Sequence, residues 1–337
     1  MTLMESESRE APAVAARLVA DTSATLRDLR ARLRSLAPRY AVAAGRGSSD
    51  AAALLAKYLF ETRLGLPTVS AAPSILSIYG RKLNLEKALV LAISQSGRSP
   101  DLVEFCRAAI GPDVLRIGLI NDIASPLAGA VDVALPLSAG PEKSVAATKS
   151  CLAAMTLALG LTAHWRNDAA MIGAFERSPT ILAAALDQDW SSANAFLDGD
   201  GPIYVVGRGP GLAIAAEAAL KLKETNALHA EAVSAAEIRH GPFALAGPKL
   251  RVIIFAQRDA AFDGLQQLAA DLQQRGSPVL FIASGAGSST AIPPDGEPVL
   301  ELIAMLARFY LFANAAALRR GRSPDAPPML TKITETR

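Results

Sequence analysis

The chain has 337 residues, enough for about two domains, and its 51% hydrophobic and 20% charged residues exclude a chain that is disordered throughout. The 34 basic and 32 acidic residues leave a formal net charge of +2, and neither sign forms a long block. The composition therefore predicts no nucleic-acid partner.

Cysteine use and hydropathy predict where the protein works. The only cysteines, Cys106 and Cys151, lie in apolar helical patterns and form no CxxC motif, so we expect a reduced, cytoplasmic protein without a metal site. The acidic N-terminus lacks the basic start and apolar core of a signal peptide. The longest apolar window, residues 145–165, contains Lys149 and His164, so it predicts a buried helix and no membrane partner.

Helices and strands alternate along the chain. Apolar residues at helical spacing predict a helix over residues 12–37, followed by a strand, YAVAAG, and a helix within GRGSSDAAALLAKYLFE. The strands LVLAIS, VLRIGLI and DVALPL come next, and a helical region covers residues 166–201. The strands PIYVVG, RVIIFA and PVLFIA follow in the second half, and a long last helix begins at Pro298. This alternation predicts an α/β fold with doubly wound parallel sheets.

The two halves repeat one plan at a fixed offset. Gly45 corresponds to Gly207 in the two GRG turns, and Lys87 corresponds to Lys249 before the strands ALVLAIS and LRVIIFA; both pairs are 162 residues apart (207 − 45 and 249 − 87). Two anchors at one spacing indicate duplicated domains. We assign residues 1–39 to an N-terminal helical segment, 40–165 to the first domain, 166–201 to a linker, 202–320 to the second domain and 321–337 to a tail.

One loop differs between the halves in a way that predicts a phosphate site. After its third strand the first half has SQSGRSPD, whereas the second has AQRDAAFD. The carboxyl end of a parallel strand that leads into a helix offers backbone N–H groups and a positive helix end to an anion. Serine and glycine are also ordinary turn and N-cap residues, so the alternative is a loop without a ligand. The proposed cradle for a phosphate monoester consists of Ser94, Gln95, Ser96 and Ser99 around Gly97, with Ser48 and Ser49 after the first strand.

Two nucleotide motifs are incomplete. The GRG turns lack the third glycine of GxGxxG, which is Asp50 in the first half and Leu212 in the second, so we interpret their glycines as allowing strand, turn and helix to pack closely. The absence of GxxxxGK[ST] argues against a nucleoside triphosphate. No cofactor is expected.

Charge is concentrated in LKLKETNALHAEAVSAAEIRH, residues 220–240, in an alanine-rich stretch that we expect to be helical. Lys221 and Glu224 are three residues apart and would share one helix face. In a dry site, the carboxylate could move a proton, and the cation could either stabilise an enolate-like oxygen or hold the glutamate ionised. The alternative for this pair is an ordinary helix ion pair.

Other charged residues and histidines are assigned structural or surface roles. Lys223 is expected to be a surface charge. Lys57 and Glu61, near the end of the corresponding helix in the first half, are expected to be structural charges. His164 and His229 are expected to have packing or surface roles.

The chain resembles the sugar isomerase (SIS) domain family in five stretches: GSS after the first strand, SQSGRS, GPEKSVAATKS, EAALKLKETNALHAEAVSAAEIRHGP and PPMLTKITETR. Over about residues 40–337 it is similar to the paired isomerase domains of the glutamine:fructose-6-phosphate amidotransferases. Its N-terminus, MESESREAPAVAARL, is similar to that of the SIS-type glucosamine-6-phosphate deaminases. The resemblance implies two tandem flavodoxin-like SIS domains and a phosphorylated amino sugar as the ligand.

The resemblance also implies where that ligand binds. It places the phosphate on the predicted cradle and the sugar beside Val145 and Ala147. The second of these positions is commonly serine in the family, so Ala147 removes one possible hydroxyl contact.

For catalysis, the resemblance matches four residues to family roles. Glu224 matches the carboxylate that moves a proton between sugar C1 and C2, and Lys221 matches the neighbouring lysine. His240 matches a ring-opening histidine that the adjacent subunit contributes, which implies a homodimer with a shared active site. Lys332 matches a tail lysine that can form a Schiff base with the keto sugar.

Three functions are compatible with these residues. The related synthases carry a glutaminase domain with a cysteine after the initiator methionine; here that residue is Thr2, and only about 40 residues precede the first SIS domain, so we expect the sugar reaction alone. Because water outcompetes free ammonia, this favours conversion of glucosamine 6-phosphate to fructose 6-phosphate and ammonia. The first alternative is an isomerase or amidotransferase-like enzyme acting on another amino-sugar or fructosamine phosphate. The second is a non-catalytic phosphosugar sensor, for whose DNA-binding domain the N-terminus offers little room or basic charge.

Overall fold

A computed structural model of the chain describes residues 1–111, 113–285 and 290–332. The chain divides into two compact units, each containing one parallel sheet. The first-sheet unit comprises Ala13–Glu142 and Lys149–Arg177, and the second-sheet unit comprises Met1–Pro12, Lys143–Thr148 and Ser178–Lys332. The first twelve residues and the 143–148 segment are therefore grouped with the second sheet.

The N-terminal segment forms two helices. Helix α1 (Leu3–Arg9) begins after Thr2, whose hydroxyl accepts a hydrogen bond from the Glu5 N–H at 3.0 Å. This is an N-cap, which satisfies one of the helix's otherwise unpaired N–H groups. Helix α2 (Ala11–Leu36) follows and corresponds to the helix predicted over residues 12–37.

The first sheet has five parallel strands in the order β2-β1-β3-β4-β5. Its strands are β1 (Tyr40–Ala44), β2 (Thr68–Ser70), β3 (Ala88–Ser94), β4 (Leu115–Ile120) and β5 (Val133–Pro136). Its helices are α3 (Ser48–Leu59), α4 (Ser74–Ser77), α5 (Pro100–Ala108), α6 (Lys149–Arg166) and α7 (Ala169–Leu186). The last part of α7, from Ser178, is grouped with the second-sheet unit. Alternate strand residues such as Val42 and Val90 share a core with Leu102 and Phe105 of α5. The residues between them are also buried, as expected for a parallel sheet covered by helices.

The second sheet has four parallel strands in the order β7-β6-β8-β9, which repeats the first four positions of the first sheet. Its strands are β6 (Ile203–Gly207), β7 (Ala230–Ser234), β8 (Arg251–Ala256) and β9 (Val279–Ala283), and the helices are α8 (Gly211–Asn226), α9 (Ala235–Ile238), α10 (Phe262–Gln274) and α11 (Pro298–Arg319). The prediction of two tandem doubly wound, flavodoxin-like parallel sheets is confirmed.

The duplication is visible in matching backbone detail. A Cβ atom added to Gly45 would lie 2.3 Å from the Ser49 carbonyl oxygen, and one added to Gly207 would lie 2.1 Å from the Gly211 carbonyl oxygen. Both pairs are again 162 residues apart (207 − 45 and 211 − 49). No side chain fits at Gly45 or Gly207, so the close-packing interpretation is confirmed for the first glycine of each GRG turn. It is wrong for the second glycine, because Gly47 and Gly209 have nothing within 4 Å of a Cβ position; both have a φ of 57°, which favours glycine.

The expectation that residues 220–240 form one helix is wrong beyond Asn226. Ala227 adopts the left-handed conformation, with a φ of 48°, and ends α8. The chain then forms β7, which pairs with β6, so that Ala230 lies beside Ile203. Pairing with a distant strand has overridden the helix preference of the alanines. The first half contains the matching edge strand β2, which was also not predicted.

Lys57 and Glu61 anchor the edge strand β2. The Lys57 ammonium donates to Glu61 Oε1 at 2.5 Å and to the Thr68 carbonyl oxygen at 2.6 Å, and Glu61 Oε1 accepts the Thr68 N–H at 3.1 Å. Burial raises the pKa of Glu61, but the hydrogen bonds from Lys57 and Thr68 outweigh it, so the pKa lies below its ordinary value. The structural role predicted for this pair is confirmed.

Two long apolar helices, α6 and α11, lie inside the fold. Helix α6 is buried over almost its whole length; within it the His164 ring contacts the Gly160 carbonyl oxygen at 2.9 Å and the edge of the Phe175 ring, with centroids 6.0 Å apart. Among the described helices, α11 is long and apolar enough to cross a membrane, but 89% of its most apolar window is buried within the protein. His164 therefore has the packing role that was predicted, and His229 is exposed.

Candidate active site

The predicted phosphate cradle lies at the point where the strand order of the first sheet reverses. From β1 the chain passes to β2 on one side and then to β3 on the other, and the carboxyl ends of β1 and β3 lie side by side. In doubly wound sheets this is the usual ligand crevice. Ser48 and Ser49 begin α3 after β1. Ser94 is the last residue of β3, and the β3–α5 loop carries the remaining cradle residues Gln95, Ser96 and Ser99.

The β3–α5 loop is held in a tight conformation by its own serines. Gly97 has a φ of 64°, and a Cβ atom added there would lie 1.9 Å from Ser125 Oγ. Ser94 Oγ accepts the Gly97 N–H at 2.9 Å, and Ser96 Oγ accepts the Arg98 N–H at 3.3 Å. A serine hydroxyl that accepts one hydrogen bond still has its own hydrogen to donate. In this conformation of the loop the serine hydroxyls can donate to an anion, whereas the Gly97 and Arg98 N–H groups already donate to serine oxygens.

Neutral donors dominate the cradle because the nearby arginines have carboxylate partners. Arg46 Nε lies 3.0 Å from Asp101 Oδ2, and an Arg98 terminal nitrogen lies 2.9 Å from Asp122 Oδ2. Ser99 is the N-cap residue of α5, yet its side chain makes no capping hydrogen bond. Its hydroxyl can therefore turn towards a ligand.

The matching crevice in the second-sheet unit is filled by the protein's own side chains. Gln257, which corresponds to Gln95, is fully buried, and its Nε2 donates to the Arg208 carbonyl oxygen at 2.8 Å. Arg258, which stands where the first half has Ser96, donates to the Ser284 carbonyl oxygen at 2.7 Å and lies 4.6 Å from the centre of the Phe262 ring. These contacts give a physical reason why a cradle is expected in the first half alone.

The second-sheet unit contains a buried charge cluster on α8. Lys221 is fully buried between two carboxylates: its Nζ lies 3.5 Å from Glu217 Oε1 and donates a short hydrogen bond to Glu224 Oε2. Tyr310 on α11 donates to Glu217 Oε1 at 3.0 Å. Glu224 alone of the three charged side chains reaches solvent, at 21% exposure. The cluster thus fixes Lys221 and presents one carboxylate outwards.

Glu224 lies in the wall of a cavity of about 440 Å³. One side of this cavity is the end of α8, including Lys223 and Thr225, and the other is the tail from Gly321 to Leu330. Lys223 is exposed, as expected. A tail that covers a carboxylate in this way can limit the access of water to it.

The tail also brings Lys332 to the 143–148 segment. Lys332 Nζ donates to the Ser144 carbonyl oxygen at 2.7 Å, and the Val145 N–H donates to the Asp325 carbonyl oxygen at 3.1 Å. Val145 and Ala147 are both half-buried. Two of the predicted sugar-binding positions therefore lie on the same short segment that accepts the Lys332 amine.

His240 stands apart from these groups. It is exposed just beyond α9, its N–H bonds to the Glu237 carbonyl oxygen at 2.9 Å, and it does not line the Glu224 cavity. Within residues 1–111, 113–285 and 290–332, no three or more His, Cys, Asp or Glu side chains are arranged to hold a metal ion.

Both sheets match the same protein family. The SIS domain profile matches residues 38–163 and 197–295, one match for each sheet. The chain belongs to the SIS domain family.

Relatives of this SIS protein include enzymes of sugar phosphates. It is 35% identical over 306 residues to the glutamine–fructose-6-phosphate aminotransferase (isomerizing) of Halobacterium salinarum, which covers 85% of this chain and 50% of the relative. The chain thus spans about half the length of the curated relatives it matches. A crystal structure of a candidate phosphosugar isomerase from Silicibacter pomeroyi is 37% identical, with a TM-score of 0.88 over 96% of this chain and 100% of that one. The glucosamine-6-phosphate deaminase of Thermotoga maritima shares the fold, with a TM-score of 0.80 at 20% identity over 99% and 100% of the two chains.

Two residues of the buried charge cluster, Glu217 and its partner Tyr310, were not predicted from the sequence. Glu217 lies four residues before Lys221, which is the spacing of one helix face, so a signal for it was present in EAALKLKE. Tyr310 is 93 residues away from Glu217 and gave no local signal.

Proposed function

We propose that this SIS protein is an amino-sugar-phosphate deaminase of the aldose–ketose isomerase type, which converts glucosamine 6-phosphate to fructose 6-phosphate and ammonia. The observation that carries the proposal is the Glu217–Lys221–Glu224 cluster, in which a fully buried lysine holds a carboxylate at the wall of a cavity. Buried charge is costly for a fold unless it is paired or serves chemistry.

The proton transfer is assigned to Glu224. In the open-chain substrate C1 is an aldehyde and C2 carries the amine; Glu224 removes the proton from C2, giving an enolamine with its oxygen on C1. The protonated Glu224 then returns this proton to C1, and an N–H proton passes to the C1 oxygen, which gives the imine at C2 and a hydroxymethyl group at C1. The Lys221 ammonium donates a short hydrogen bond to Glu224 Oε2, which can hold the carboxylate in a fixed orientation. Water then adds to the imine carbon, and ammonia leaves to give the ketone.

The phosphate is assigned to the cradle of the first-sheet unit. Its hydroxyl donors surround Gly97 at the carboxyl end of β3, at a strand-order reversal. The corresponding loop of the other sheet holds Gln257 in that place, so one phosphate per chain is proposed.

Ring opening is assigned to His240 of a second copy of the chain. His240 is exposed in the single chain and does not line the Glu224 cavity, so a histidine that acts there must come from a partner. A homodimer with shared active sites is accordingly part of the proposal. Val145 and Ala147 are assigned to the sugar, and Lys332 to the keto form as an amine that can form a Schiff base.

The test is ammonium release by the purified chain with the 6-phosphates of glucosamine, galactosamine and fructosamine, each beside the unphosphorylated sugar. Wild type should release ammonium and form fructose 6-phosphate from glucosamine 6-phosphate. Glu224→Gln should lower kcat by about a hundredfold to ten-thousandfold, because the amide cannot accept the C2 proton. The exposed Glu231→Gln serves as a matched control and should keep the wild-type rate.

Each other outcome excludes a part of the proposal. Turnover of galactosamine or fructosamine 6-phosphate alone would replace the substrate and retain the reaction type. Binding of these phosphates without any turnover would indicate a sensor. Equal rates on phosphorylated and unphosphorylated glucosamine would contradict the assignment of the phosphate to the cradle. An unchanged rate in Glu224→Gln would contradict the assignment of Glu224 as the base.

A further inference from the structure

Helix α1 points a buried carboxylate at the 143–148 segment. Glu7 is only 5% exposed, and its two oxygens accept the N–H groups of consecutive residues, Lys143 through a short hydrogen bond and Ser144 at 3.2 Å. Hydrogen bonds to a charged acceptor are stronger than neutral ones. The carboxylate therefore fixes the direction of this stretch of backbone.

The 143–148 segment has no regular secondary structure, so its backbone groups depend on partners outside it. Glu7 accepts its first two N–H groups, Lys332 donates to the Ser144 carbonyl oxygen, and the next N–H, of Val145, donates to the Asp325 carbonyl oxygen. Three consecutive residues are thus held from one side by α1 and from the other by the tail.

The tail is in turn bound to α1, which closes a ring of contacts. The Asp325 carboxylate accepts the N–H groups of Leu3 at 2.8 Å and Met4 at 2.7 Å, which are otherwise unpaired at the start of the helix. Thr2 Oγ1 donates to Asn314 Oδ1 on α11 at 2.6 Å. Helix α1, the 143–148 segment and the tail therefore support one another.

We propose that Glu7 is a positioning residue for the reaction: through the backbone of Lys143 and Ser144 it sets the placement of Val145, Ala147 and the Lys332 amine. The inference rests on the proposed function for the identity of the reaction. Glu7 itself touches no reacting atom. Its effect is carried by main-chain hydrogen bonds, and the N-terminal helix is thus a working part of the active site.

The direct test is Glu7→Gln, which keeps the size of the side chain but turns one acceptor into a donor that faces a backbone N–H. Well below its melting temperature the variant should lose between about tenfold and a hundredfold in kcat/KM, with a decrease in kcat, because small displacements of binding groups slow catalysis. Hydrogen exchange of the amides of residues 143–145 should become faster. Glu5→Gln on the same helix, where Glu5 pairs only with exposed Arg9 among its described side-chain contacts, should show neither change.

A purely structural role would lower the melting temperature of Glu7→Gln and leave kcat unchanged, and that result would overturn the inference. If Glu7→Gln does not fold, Asp325→Asn breaks the ring at its other link and should produce the same loss of kcat and the same faster exchange at residues 143–145. Unchanged exchange in Asp325→Asn would also overturn the inference.

Failure of the proposed function has a different signature. Wild type would then release no ammonium from any amino-sugar 6-phosphate. The hydrogen-exchange measurement does not depend on this activity and can still be made. In that case equal exchange at residues 143–145 in Glu7→Gln and Glu5→Gln would overturn the positioning role as well, and faster exchange in Glu7→Gln alone would uphold the coupling of α1 to this segment.

Discussion

Replacing Lys221 by methionine tests whether the charge cluster on α8 is held together electrostatically. Methionine fills most of the same space and removes the cation between Glu217 and Glu224. Glu217 is fully buried, so the variant removes the cluster's cation from beside a carboxylate inside the protein, to which Tyr310 still donates a hydrogen bond.

The distances set the scale of the effect. The 3.5 Å between Lys221 Nζ and Glu217 Oε1 corresponds to an attraction of about 5 kcal/mol at an effective dielectric constant of about 20. Measured costs of removing one partner of a buried pair are about 3–5 kcal/mol. With a shift of about 2–4 °C per kcal/mol for a unit of this size, the melting temperature should fall by roughly 6–20 °C.

The assay is thermal and urea unfolding followed by far-UV circular dichroism. Lys223→Met, two residues along the same helix and exposed, is the control and should change the free energy of unfolding by less than about 0.5 kcal/mol. The double variant Glu217→Gln/Lys221→Met removes the stranded charge and should recover much of the loss. Equal stability of the two lysine variants, or no recovery in the double variant, would refute the electrostatic reasoning.

Two further predictions concern the first-sheet unit. Gly97→Ala should lower the free energy of unfolding by about 1–3 kcal/mol, because Gly97 has a φ of 64° and the new Cβ atom would meet Ser125 Oγ. The control Gly129→Ala, with nothing within 4 Å of its Cβ position, should have almost no effect. Equal effects of the two substitutions would contradict the constraint on the loop. Cys106 is fully buried, and burial raises the pKa of its thiol to about 12 against the opposing charge of Arg116. A disulfide reagent at about pH 8 should therefore modify Cys106 only after unfolding, and rapid modification of the folded protein would show that its surroundings are open.

The sequence allowed the central strands to be predicted because each is a continuous apolar run, and the 162-residue offset checked them against one another. Of the four edge strands, β5 and β9 are apolar runs that were predicted, but β2 and β7 could not be found in the same way. β2 has only three residues, and β7 follows a helix whose alanines favour continuation; both are defined by pairing with a neighbouring strand.

The contacts of the candidate site differ in the same way: some join residues close in the sequence and others join residues far apart. Lys221 and Glu224 share one helix turn, so their contact could be predicted from spacing. The contacts of Glu7 with Ser144 and of Tyr310 with Glu217 join residues 137 and 93 positions apart. Such contacts follow from how the units fold, and no local pattern in the sequence marks them.

The duplication also shows which charges the fold itself does not need. At the 162-residue offset, Glu217 and Lys221 of α8 correspond to Leu55 and Leu59 of α3 (217 − 55 and 221 − 59). Both leucines are buried, with at most 1% of their surface exposed. The same helix in the sister unit thus packs with leucines where α8 buries a carboxylate and an ammonium. Well-packed apolar residues at such positions are often as stable as a buried ion pair or more so. Packing alone therefore does not account for Glu217 and Lys221, which supports the role beside Glu224 that the proposed function assigns to this cluster.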